Sequence, residues 1–158
     1  LYQETPALWE EDFSWEGFQW IVPDDSSQNV VVFLRRDKKG GEVIAVCNFA
    51  PVLRPDYKFG VPRAGQYAEL INSDAEEFGG TGQHNAPVRA KKQPMHGFDY
   101  SISLRVPPMS AVILRTPAAK PAKADGPAPK KAAARGARAK PARKTAARKT
   151  TGKQAKDA

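Results

Sequence analysis

Residues 29–50 read "NVVVFLRRDKKGGEVIAVCNFA", and the reading of this stretch decides the fold class. Two β-branched, apolar runs flank "DKKGG" at 37–41, whose polar residues and paired glycines suit a hairpin loop between antiparallel strands. Outward from it, "GQYAELIN" (65–72) is a third strand candidate. "YSISLRV" (100–106) alternates most cleanly, with Ile102, Leu104 and Val106 on one face and Ser101, Ser103 and Arg105 on the other. "PPMS" interrupts, and "AVILRT" (111–116) returns as a last strand. Prolines 51, 55, 62, 87, 94, 107 and 108 fall between the runs, where they remove no ladder hydrogen bond. Short strands, repeated turn signals and almost no helical periodicity predict an all-β fold, an antiparallel β-sandwich.

Ahead of the strands, "TPALWEED" (5–12) carries a helix-start signal, with Thr5 as cap and Pro6 at the first helical position; the helix it starts is short. "FSWEGFQWI" follows and brings Phe13, Trp15, Phe18 and Trp20 together, so that with Trp9 all three tryptophans lie in the first 20 residues. Such a group can stack on sugar rings, which makes Trp9, Trp15 and Trp20 the candidate substrate-binding residues. The competing reading, packing as core or against a neighbouring domain, is the usual use of large aromatics.

The chain has 158 residues and a formal charge of +8, but its two parts differ. Residues 1–115 hold 12 Lys+Arg against 15 Asp+Glu, and residues 116–158 hold 13 against 2. All 14 aromatic residues lie at or before Tyr100. The tail therefore lacks the large apolar side chains that offset an ordering cost of about 1–2 kcal/mol per residue, and is expected to be disordered. Its "KPAK", "KPAR" and twice-occurring "ARKT" resemble the basic tails of histone-like proteins in composition. Two readings stay open: loose nucleic-acid or other polyanion binding, falling about 10³–10⁵-fold between 50 and 200 mM salt if roughly 6–10 phosphates are engaged, or a solubilising extension. Cys47 is the sole cysteine, so no intrachain disulfide or multi-cysteine zinc site forms. The longest aliphatic or aromatic run, "VVVFL", is far short of the roughly 20 residues that span a bilayer. A soluble, cytoplasmic protein without membrane contact is expected. The start at Leu1, inside sequence that reads as structured, suggests a fragment or a processed product.

The stretch "NSDAEEFGGTGQHN" (72–85) imitates a reaction centre. A Walker-type loop needs lysine and a hydroxyl after its last glycine, where Gln83 and His84 stand; a dinucleotide fingerprint from Gly80 needs glycine where Asn85 stands. Asp74, Glu76, Glu77, His84 and His96 match no specific metal-ligand spacing, so no metal and no cofactor are implied. Glu76 and Glu77, adjacent in sequence, make a poor pair for glycosidic chemistry, which needs carboxyl groups roughly 5–5.5 Å apart across the bond for retention. No catalytic residue is assigned in this chain. The stretch reads as a loop in which glycines 79, 80 and 82 open conformations closed to other residues and Asp74 closes a turn.

Taken together and in order, "ALWEEDFSWEGFQWI", "VVVFLRR", "AVCNFAPVLRPDYKFGVPRAGQYAELINSDAEEFGGTG" and "SISLRVPPMSAVIL" resemble the C-terminal part of bacterial 1,4-α-glucan (glycogen) branching enzymes. The similarity runs from residue 1 to about 115. Its most specific pieces are "VCNF.P", the terminal "L.(L/V)PP....(I/V)L" and "Y..GVP..G.Y.E..N.D...(F/Y)GG.G", the last running into the motif loop with Asn72, Asp74, Gly79, Gly80 and Gly82. The resemblance implies a family with an N-terminal β-sandwich, a central (β/α)₈ barrel and a C-terminal all-β domain. Such enzymes cut an α-1,4-glucan through a covalent intermediate and transfer the piece to a 6-hydroxyl. It further implies that residues 1–20 are the end of the barrel domain and its linker, 21–115 the C-terminal all-β domain, and 116–158 an added tail. The partners it implies are the α-glucan, through the whole enzyme, and the barrel, which these residues do not contain. The rival functions are a free-standing glucan-binding module and a polyanion binder acting through the tail.

Overall fold

Apolar side chains at every second position require two layers that bury their facing sides, and the computed structural model, which describes residues 1–118, has that arrangement. The strands are β1 (Phe18–Asp25), β2 (Val30–Arg36), β3 (Glu42–Asn48), β4 (Arg54–Val61), β5 (Gln66–Asn72), β6 (Val88–Arg89), β7 (Tyr100–Val106) and β8 (Ser110–Arg115). Six form one sheet in the order β1-β2-β3-β8-β5-β6, and β4 pairs with β7 in a second. The pairings between these strands are antiparallel.

Between the sheets lies one core. Val30, Val32 and Leu34 of β2, Ile44 and Val46 of β3, Val112 and Leu114 of β8 and Tyr67 of β5 meet Tyr57, Phe59 and Val61 of β4 and Ile102, Leu104 and Val106 of β7. Ile21 and Val22 of β1 also join it, although they are sequence neighbours. A register shift between Trp20 and Val22 makes this possible, since a bulge turns consecutive side chains to the same side.

Five predicted strands are present with bounds shifted by two residues at most: β2, β3, β5, β7 and β8. "DKKGG" is the hairpin loop, with the Asp37 carboxylate accepting the Lys39 and Gly41 amides at 2.8 and 2.7 Å, and Gly40 at φ +81°. Three strands lie outside the predicted runs. Pro55 sits inside β4, not between strands; the register is irregular between Arg54 and Tyr57, and this two-stranded sheet tolerates the missing donor there. Pro23 is likewise in β1, at the edge of the large sheet. Residues 5–12 yield only a 3₁₀ turn, Pro6–Leu8, and the Thr5 side chain makes no capping hydrogen bond. The turn lies on β2 and β3, on the sheet face away from the core, where Ala7 is buried. That cover explains why β3 is buried on both faces, Val43 and Ala45 included. The described residues belong to one compact unit, and the tail readings lie outside them.

Candidate functional site

The motif loop is built around Asp74. Its Oδ1 accepts the Thr81 amide at 3.1 Å, and its Oδ2 accepts the Thr81 hydroxyl at 2.7 Å and the Gln83 amide at 3.2 Å. The short-range turn is closed by Asn72 instead: its Oδ1 accepts the Asp74 amide at 3.0 Å, while its Nδ2 donates to the Gln83 carbonyl at 2.7 Å. Gly79 and Gly82 have φ of +80° and +76°, the left-handed region expected of them. Gly80 is required for another reason. A Cβ there would stand 2.2 Å from the Asp74 carbonyl oxygen, so the constraint is close approach of two backbones. Glu76 and Glu77 are exposed on a 3₁₀ turn. His84 lies 3.6 Å from Glu69, and the His96 ring accepts the Gly60 amide at 3.3 Å. Among the described residues no group of three or more His, Cys, Asp or Glu is placed to hold a metal ion.

The hydroxyl and amide of Thr81, followed by the Gln83 amide and the nearby His84, hold the Asp74 carboxyl below its ordinary value of 3.8 against a smaller opposing effect of burial. Asp25 is depressed too: partial burial raises it, but hydrogen bonds from Ser27, Tyr57 and the Gln28 amide outweigh that. A carboxyl whose folded value is the lower one contributes its stability in full above the unfolded-chain value, and the contribution is lost as pH falls through the folded value. Thermal melts between pH 6 and 2 should therefore show stability declining below about pH 4. The decline should be shallower in Asp74→Asn, and an identical slope would remove Asp74 from the account.

The motifs that carry the resemblance map onto framework. In "VCNF.P", Asn48 is buried; its Nδ2 donates to the carbonyls of Val52 at 2.9 Å and Pro107 at 2.8 Å, and its Oδ1 accepts the Ala50 amide at 3.0 Å. In "Y..GVP..G.Y.E", the Tyr57 hydroxyl donates to Asp25 at 2.9 Å, and a Cβ on Gly60 would lie 2.0 Å from the Met95 carbonyl oxygen. The Tyr67 hydroxyl donates to the Arg63 carbonyl at 2.9 Å, and burial pushes its pKa up to about 12. Glu69 accepts both the backbone and side-chain amides of Asn85, and Asn85 in turn pairs with the N–H and C=O of Arg105 on β7. Loop 72–85 thus fastens the large sheet to the small one. Of these, Asn48, Glu69 and Asn85 were missed by sequence reasoning about sites; the signal was a polar residue inside or next to an apolar run.

The aromatic group is surface. Trp15 is 94% exposed and Phe13 fully so, while Trp9 and Trp20 are about half exposed. On the outer side of β1 and β2, Phe18 and Phe33 stack at 5.4 Å, and Trp20 meets both edge-on at 4.9 and 5.9 Å. The segment before β1 is tied down by Arg35, which pairs with Asp12 and donates to the Leu8 carbonyl, and by the Lys38 amide on Glu10 at 3.1 Å. The structure thus brings Trp20 onto a braced ring cluster and leaves Trp9 and Trp15 on the overlying segment. No helix among the described residues is long and apolar enough to cross a membrane.

Comparison with known proteins bears on this frame. The family model for the alpha amylase C-terminal all-beta domain matches residues 20–117. The 1,4-alpha-glucan branching enzyme of Aromatoleum aromaticum is 47% identical over 115 residues, 72% of this chain and 18% of its own length. That of Aquifex aeolicus is 46% identical and that of Halothermothrix orenii 41%, each over 117 residues, 73% of this chain and 19% of theirs. The chain therefore spans less than a fifth of the length of these relatives. With the two-sheet fold, the framework motifs and the matched residues in agreement, the chain belongs to the alpha-amylase C-terminal all-beta domain family, in the form found in 1,4-alpha-glucan branching enzymes.

Proposed function

We propose that this chain serves as the accessory β domain of a 1,4-α-glucan branching enzyme, an enzyme that builds α-1,6 branches by glucan chain transfer, and that it buttresses the catalytic barrel rather than performing chemistry. In this reading the reacting carboxylates belong to the barrel, the α-glucan is met through the whole enzyme, and residues 1–20 form the junction. The observation that carries it is the exposed aromatic surface of Trp9, Phe13, Trp15 and Trp20 on the side of the large sheet opposite the core. Four large aromatics this exposed, on a segment held to the sheet by ion pairs, support an interface with another protein surface. The same reading puts the protein in the cytoplasm, in keeping with a sole cysteine that forms no intrachain disulfide.

The test is complementation. A branching enzyme produced without its C-terminal all-β domain should gain thermal stability and activity on amylose when this chain is added, while the chain alone gives no branching by iodine staining. A Phe13→Ser, Trp15→Ala variant should weaken the complementation about 100-fold, two central aromatic anchors each contributing on the order of 2 kcal/mol or more with imperfect additivity. Its own melting temperature should stay unchanged, because neither side chain is buried. Tryptophan fluorescence that responds to maltoheptaose, together with failed complementation, would shift the assignment to a glucan-binding module.

A further inference from the structure

A second surface feature lies away from the aromatic face, on the outer side of the small sheet. Lys58 of β4 is paired directly with Ser103 of β7, and Lys91 forms an isolated antiparallel bridge with Ser101. Arg89 of β6 completes the group, because residues 88–91 cross from the edge of β5 to the edge of β7. These residues line a concavity of about 160 Å³. That is below the roughly 300–1,000 Å³ of sites for drug-sized ligands, so it suits one small group rather than a glucan chain.

Its chemistry is one-sided. Lys58, Arg89 and Lys91 are exposed, none of them forms an ion pair among the described residues, and no Asp or Glu lines the pocket. The hydroxyls lie deeper: Ser101 is 5% exposed, and the Ser103 Oγ is fully buried with no hydrogen-bond partner among the described residues. A buried hydroxyl without a partner is rare and calls for an acceptor or donor beyond those among the described residues. Cations around such hydroxyls match an acceptor-only anion, whose oxygens take charge-assisted hydrogen bonds from Lys and Arg and ordinary ones from Ser.

We infer that the pocket between residues 88–91 and β7 is an anion site that takes the phosphate group of inorganic phosphate or of a small phosphate monoester. Docking of the aromatic face plays no part in it, so the two assignments stand or fall separately. Amide-resolved NMR of the whole chain tests it, because the basic tail would confuse any bulk binding signal. Titration with inorganic phosphate at ionic strength held constant with chloride should give saturable shifts at Arg89, Lys91, Ser101 and Ser103. Lys58→Gln or Lys91→Gln should weaken phosphate binding about tenfold, and Ser103→Ala should weaken it without lowering the melting temperature. Glucose 6-phosphate as a second probe separates the sources: tighter binding than phosphate points to a monoester, equal binding to the free ion. Shifts no greater than those in chloride alone, or unchanged affinity in both lysine variants, would overturn the inference.

Discussion

Asn48→Ala is expected to destabilise the β domain by about 3 kcal/mol, which lowers the melting temperature by roughly 15 °C for a domain of this size. The reasoning counts orphans. Asn48 is 1% exposed and serves three backbone groups at once. Of these, the Pro107 carbonyl keeps a second donor in the Ser110 hydroxyl at 2.7 Å, whereas the Val52 carbonyl and the Ala50 amide lose their side-chain partner. The Ala50 amide, left unpaired in the interior, costs about 1–3 kcal/mol, and the cavity adds to this, whereas the carbonyl of the exposed Val52 rehydrates. Asn48→Asp should be no better, because a carboxylate keeps the acceptor for Ala50 but cannot donate to either carbonyl. Denaturant melts decide it: a midpoint for Asn48→Ala within experimental error of the parent would show that these bonds are replaced by water at no cost.

Glu42→Ala carries the second large effect, about 2–3 kcal/mol. Glu42 opens β3 with its side chain 5% exposed, paired with Arg36 at 2.7 Å and Arg63 at 3.1 Å. Arg36 extends the pair to Gln19 of β1 at 2.6 Å, and Arg63 extends it to the carbonyls of Pro117 and Gly40. The carboxylate therefore joins β1, β2, the β4–β5 turn and the segment after β8. Removing one partner of a buried pair costs roughly 3–5 kcal/mol when the remaining charge is sealed from water. Here the two arginines are 31% and 25% exposed and rehydrate in part, which brings the figure down. Glu42→Gln should recover part of the loss by keeping an acceptor for Arg36. Melting curves for the two variants that coincide with the parent would show that the cluster contributes nothing net.

How far the sequence could be read depended on what each strand buries. Strands β2, β7 and β8 bury one face or lie in the middle of a sheet, and their apolar periodicity states this directly. In β4 the same alternation exists in Tyr57, Phe59 and Val61, but Pro55 and Asp56 ahead of them and Lys58 between them read as loop chemistry. β1 is obscured differently: its bulge places Ile21 and Val22 in the core together and so breaks the period of two. A strand of two residues such as Val88–Arg89 has no period at all. The motif loop was legible as a loop, and two of its glycines as left-handed turns. The need for glycine at position 80 was not, because the backbone it approaches is that of Asp74, six residues earlier.

By itself the sequence determined the layered β architecture, the family and the division between an aromatic first part and a basic tail, since alternation, motif order and composition are properties of the chain as a string. Only the tertiary structure decided which side each aromatic faces, which buried polar atoms are satisfied, and that Lys58, Arg89 and Lys91 line one pocket with Ser101 and Ser103. The physical reason is the same in each case. Hydrogen bonding, desolvation and charge depend on distances of a few ångströms between residues tens of positions apart, and those distances are set only when the two sheets close on their common core.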